Sequence, residues 1–162
     1  MIVSLEHLIP VIRKSFSEGK PVRFTSTGSS MVPFIYNGDE IELMPINEEL
    51  KRCDIILLEK DTNKYVLHRI VKIDGGKIFL RGDAQSKAEG PFDIQNAIGI
   101  AGISFRKGRR REHTKGFWSF AGKVWVGFFP IPLFEYSVYK SMRRFTGIIL
   151  RKLGILSESR NS

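Results

Sequence analysis

Apolar residues recur at helical spacing near the start of the chain. Leu5, Leu8, Ile9, Ile12 and Phe16 fall on one face of a helix over residues 4–17. Ser4 suits the N-cap and Gly19 the stop, while Pro10 would kink the helix or delay its start. From Val22 the period shortens to two. Val22–Thr27, Glu40–Met44, Asp54–Glu59, Tyr65–Ile73, Lys77–Arg81 and Ile98–Phe105 read as short strands rich in β-branched and aromatic residues. Turn signals fall at Tyr36–Asp39, Asp61–Lys64 and Asp74–Gly76. One leading helix and many short strands predict a mainly β, barrel-like or coiled antiparallel domain over residues 1–105, with its β core at 22–105.

The pattern then changes. Arg106–Lys115 reads as a solvated linker containing three consecutive arginines, Arg109, Arg110 and Arg111. Residues 117–134 are apolar and aromatic, with Lys123 as the only charge and with Pro130 and Pro132 as breaks. Residues 136–153 read as a basic amphipathic helix. Residues 106–162 therefore form a helical, basic and aromatic extension.

Charge sharpens this division. The chain has 162 residues and a formal net charge of +9. Residues 1–105 carry 13 basic and 14 acidic side chains, whereas residues 106–162 carry 13 and 3. An evenly basic nucleic-acid-binding domain does not fit that asymmetry, so nucleic acid is an unlikely partner. Aromatic residues interleaved with Lys and Arg point to an anionic membrane surface, met in the plane of the interface through residues 106–162. Folding back onto the β domain, or covering a partner protein, is the competing role of the segment 117–134.

Other chemistries find little support. A single cysteine, Cys53, excludes an intramolecular disulfide and a cysteine-rich metal site, and reads as a small buried filler. His7, His68 and His113 lack metal-ligand spacing, and His7 and His113 read as ordinary surface or helix-face residues. Phosphate-binding glycine loops are absent, so no cofactor is expected. The N-terminus does not read as a secretory signal: Glu6 comes early, and Arg13 and Lys14 follow the apolar residues. Synthesis in the cytoplasm, with attachment to a membrane through the C-terminal region, is the expected location.

Three segments carry candidate chemistry. In Gly28-Ser29-Ser30-Met31-Val32-Pro33, a glycine permits a sharp turn that presents a serine hydroxyl and its N–H to one spot. A serine nucleophile needs a base, and His68, in the strand Leu67-His68-Arg69, titrates near neutrality. An aspartate such as Asp83, in Arg81-Gly82-Asp83-Ala84, can orient an imidazole. Each alone is ordinary. Gly38-Asp39-Glu40-Ile41 by itself reads only as a turn entering a strand.

As an ordered set, GSSMVP, NGDEIEL, CDIILLEK, YVLHRIV and FLRGDA resemble the successive boxes of the type I signal peptidase and LexA-like serine peptidases, from about Val22 to Phe105. The resemblance implies a coiled antiparallel β fold and a serine endopeptidase acting on a leader or signal-like peptide. It implies Ser30 as nucleophile, His68 as base where many members have lysine, and Asp83 as the aspartate near the base. Met31 and Pro33 would pack the loop presenting Ser30, whose N–H would serve the oxyanion. Gly28 stands where some members carry an assisting hydroxyl. Arg69 is expected on the strand face opposite His68, in a structural or substrate-backbone role. Cys53-Asp54 replaces a frequent Gly-Asp, Gln85 stands where asparagine is frequent, and the usual N-terminal membrane anchor is missing. Two alternatives remain: a LexA-like self-cleaving regulator, for which only 29 residues precede Ser30, and a non-catalytic membrane or partner adaptor on the same fold.

Overall fold

The computed structural model describes residues 5–128. Ser4, residues 129–134 of the aromatic segment and the expected helix at 136–153 lie outside the described residues.

The leading helix α1 (Leu5–Ser17) runs through Pro10 and buries Ile9 and Ile12. It stops as expected at Gly19, which adopts φ +71°. Lys20 N donates to Ser15 O and Gly19 N to Phe16 O, which satisfies carbonyls of the last turn.

Eight strands follow: β1 (Val22–Thr25), β2 (Glu40–Met44), β3 (Ile55–Asp61), β4 (Lys64–Asp74), β5 (Lys77–Arg81), β6 (Glu89–Asp93), β7 (Ala97–Arg106) and β8 (Arg109–Glu112). All paired neighbours are antiparallel, in the order β1-β2-β7-β3-β4-β5-β6, with β8 on β7. A second helix, α2 (Gly116–Phe128), closes the described chain. The fold is thus mainly antiparallel β between an N-terminal and a C-terminal helix.

Strand β3 explains where the core sits. Its residues Ile55 to Leu58 are all buried, so both faces of the sheet are covered. Ile55 and Leu57 join Ile9, Ile12, Met31, Ile35, Ile41 and Leu43 on one face. Ile56 and Leu58 join Leu50, Ile70, Ile78 and Leu80 on the other. Register shifts at Glu42/Leu43 in β2 and at Ile70/Lys72 in β4 bend the sheet.

Strand β4 changes partner along its length. Lys64 to Arg69 pair with β3, and pairing with β5 begins only at Arg69. Lys64 to His68 therefore carry an edge with no strand beside it among the described residues. The outer edge of β1 is likewise unpaired.

Two strands differ from the sequence-based expectation. Strand β6 contains Gly90-Pro91, which reads as a break; it lies at the sheet edge, where a missing N–H is tolerated. The stretch Arg106–Lys115 is not a free linker, because Arg109–Glu112 forms β8. Lys107 and Gly108 both take positive φ, at 49° and 74°, and make a two-residue hairpin turn hidden within the charge run. The sheet therefore continues past residue 105.

Candidate active site

The loop between β1 and β2 carries Ser30. Its base is tied at several points. Gly28, at φ +93°, donates its N–H to Asn37 Oδ1 at 3.2 Å. Ser26 Oγ donates to Tyr36 O at 2.9 Å, and Asp39 Oδ2 accepts from Tyr36 N at 2.9 Å. The Asn37-Gly38-Asp39 segment, read as a plain turn, is thus the brace of the serine loop. Met31 and Ile35 sink into the core beside α1, as the packing role expected of Met31 requires. Pro33 follows, half-buried.

The segment after β5 locks the other side. Ala84 N donates to Ser30 O at 2.8 Å. Gly82 lies so near that a Cβ there would stand 2.7 Å from Ser30 O. Glycine at 82 is therefore a requirement of space. The Ser30 carbonyl is pinned, while among the described residues its own N–H and hydroxyl make no hydrogen bond.

His68 sits in β4 opposite Ile56 and is 5 % exposed. Ser30 and His68 line one cleft of about 600 Å³, together with Leu8, Phe24, Met31 and Tyr65. They do not hydrogen-bond to each other in this state. Such contacts are often long before substrate arrives. Burial lowers the His68 pKa; Glu89 opposes this shift and Lys60 adds to it. The ring is therefore neutral at pH 7, the form able to accept a proton. Its Nδ1 is buried without a hydrogen-bond partner.

The expectation that Asp83 orients this ring is not met. The Asp83 carboxylate faces Arg69, with Nε to Oδ1 and Nη2 to Oδ2 both at 2.7 Å. Arg69 follows His68 in β4, so it projects to the opposite face of the strand and takes Asp83 with it. Both side chains of this pair are 1 % exposed. Arg69 Nη1 also donates to Cys53 O at 2.9 Å, and its guanidinium lies 4.6 Å over the Phe34 ring. Burial pushes the Asp83 carboxyl up, and the Arg69 charge, the Arg69 hydrogen bonds and the Arg81 charge oppose that shift. Asp83 thus fixes the loop that holds Ser30 rather than the imidazole. Arg69 has the structural role expected of it.

Helix α2 closes this back wall. Trp125 Nε1 donates to Asp83 O at 3.1 Å. Trp118 and Trp125 meet Phe34, in the serine loop, edge-on at 6.4 and 5.9 Å. Gly122 packs against the Arg69 guanidinium. Sequence reading missed Trp125 as a site-supporting residue; an indole N–H in an apolar helix needs an acceptor, and that was the available signal.

Cys53 is half-buried at φ +83°, a conformation that favours glycine. Burial raises its thiol pKa, so it is no activated nucleophile. His113 is buried rather than superficial, with Nε2 2.8 Å from Ser104 Oγ. Among the described residues, no group of His, Cys, Asp and Glu is placed to hold a metal ion. No described helix is long and apolar enough to cross a membrane. No protein-family model matches the chain, and no curated protein matches it.

Proposed function

We propose that the chain is a serine endopeptidase working through a Ser30–His68 dyad on an extended, leader-like peptide. The observation carrying this reading is that residues 38 positions apart in the chain line one cleft, with the serine carbonyl pinned and its N–H unspent. Ser30 Oγ attacks the scissile carbonyl as neutral His68 takes its proton. The Ser30 N–H donates to the oxyanion. The imidazolium then protonates the leaving amine, and water, activated by the same ring, releases the acyl group from Ser30. Among the described residues no carboxylate hydrogen-bonds the His68 ring, and Glu89 acts on it only through its charge, so the base works as one half of a dyad.

The cleft supports an extended substrate. It is bordered by Phe24 to Gly28 from β1 and its loop, and by Tyr65 to His68 of β4. Both strands offer unpaired edges there, and a peptide laid between them gains main-chain hydrogen bonds on two sides. The same reading places the protein at a membrane surface through its C-terminal region.

Ser30→Ala and His68→Ala should each lower cleavage of a leader-like peptide by at least a thousandfold, with an unchanged circular-dichroism spectrum. Undiminished cleavage by Ser30→Ala would overturn the reading. A fluorophosphonate that fails to label Ser30, in a preparation without peptidase activity, would favour the adaptor alternative.

A further inference from the structure

Helix α2 is apolar on both sides. Its inner side, with Trp118, Gly122, Trp125 and Val126, lies on Phe34, Arg69 and Asp83. Its outer side presents Phe117 at 72 %, Phe120 at 66 % and Val124 at 38 % exposure. At 3.6 residues per turn these three fall within about 60° of one another. A helix hydrophobic all round is normally covered on all sides. The outer stripe lacks such a cover among the described residues.

Charge selects the occupant. The stripe is bordered on its own helix by Lys123, and Lys115 leads into the helix; both are exposed. The exposed Lys107, Arg109 and Arg110 belong to the hairpin just before it. Residues 129–162 hold six basic and two acidic side chains, so their charge does not complement these surroundings. Phenylalanines beside lysines match a surface with an apolar interior and anionic headgroups.

We infer that the outer face of α2, formed by Phe117, Phe120 and Val124 and flanked by Lys115 and Lys123, docks on an anionic lipid bilayer. The helix lies in the plane of the interface, with its tryptophan face kept on the protein. This inference rests on the membrane-surface part of the proposed reading and does not depend on peptidase activity.

The test is sedimentation of the full chain with phosphatidylcholine vesicles, with and without phosphatidylglycerol. The wild type should partition onto the anionic vesicles at least tenfold more strongly than onto neutral ones, and less so in high salt. Phe117→Ser/Phe120→Ser should lower anionic partitioning at least tenfold, and Lys115→Glu/Lys123→Glu should lower it while leaving the apolar stripe intact. Both pairs are exposed, and an unchanged thermal midpoint would show that the fold survives. Equal sedimentation of the wild type and the Phe117→Ser/Phe120→Ser variant would overturn the inference. A concentration-dependent dimer that this variant abolishes, without vesicle binding by the wild type, would assign the face to a second copy instead and would also overturn it.

Discussion

Asp83→Ala tests the assignment of Asp83 to Arg69. The substitution removes two 2.7 Å hydrogen bonds and leaves the guanidinium with the Cys53 carbonyl and the Phe34 ring. At 1 % exposure water cannot replace the lost carboxylate. Removing one member of a buried pair costs about 3–5 kcal/mol, because the remaining charge is buried without compensation. That is a large part of the roughly 5–15 kcal/mol that holds a domain folded. With a urea slope of about 2 kcal/mol/M, the midpoint should fall by about 2 M. The double substitution Arg69→Met/Asp83→Leu removes both charges and should recover most of the loss. Urea titration at pH 7 measures all three proteins. A midpoint for Asp83→Ala within about 0.3 M of wild type would refute the reasoning. Combined with lost cleavage, it would return Asp83 to the imidazole.

Three further outcomes are expected. Gly82→Ala forces a Cβ to within 2.7 Å of the Ser30 carbonyl, so peptide cleavage should fall more than tenfold with a stability loss of only about 1–3 kcal/mol; wild-type kcat/KM would contradict the pinning of that carbonyl. Burial lowers the His113 pKa from 6.5 to about 4, with help from Arg69 and Arg111. At pH 7 the ring is neutral in both states; below about 6.5 the unfolded chain takes up a proton that the folded protein refuses until near pH 4, so this contribution, up to roughly 3 kcal/mol, is lost as pH falls through that window. His113→Gln should flatten the stability curve there, and an unchanged slope would count against it. Cys53→Gly relieves a left-handed backbone and should raise stability by about 0.5–1 kcal/mol, with Cys53→Ala giving no such gain in the same thermal melts.

Periodicity made most of the fold legible. Strands β2 and β5 have the expected bounds because alternation in Glu40–Met44 and Lys77–Arg81 is bounded by clear turn residues. Strand β6 was concealed because Gly90-Pro91 normally ends a strand, and edge position decides that it does not. Strand β8 was concealed because three arginines look solvated; they are largely so, on an edge strand where charge is tolerated. At the candidate site, residue type and spacing left Ser30 and His68 undecided; the resemblance of the ordered segments to a peptidase family singled them out, and they line one cleft. The partner of Asp83 could not be named so. Alternation puts Arg69 and His68 on opposite faces, but which face the Gly82–Gln85 turn approaches is set by pairing of β4 with β5, a tertiary choice.

The pinned Ser30 carbonyl has a consequence in time. Its donor is Ala84, the ion pair behind that donor needs Arg69, and the indole that holds the Asp83 carbonyl is Trp125. The serine therefore comes early in the chain and its tethers come late. During synthesis, which runs from the N-terminus, the hydroxyl exists long before anything can aim it. Until residue 125 has emerged and α2 has seated, the loop has its Asn37 and Asp39 brace but not its full back wall. The arrangement ties the serine's final position to near-completion of the described fold.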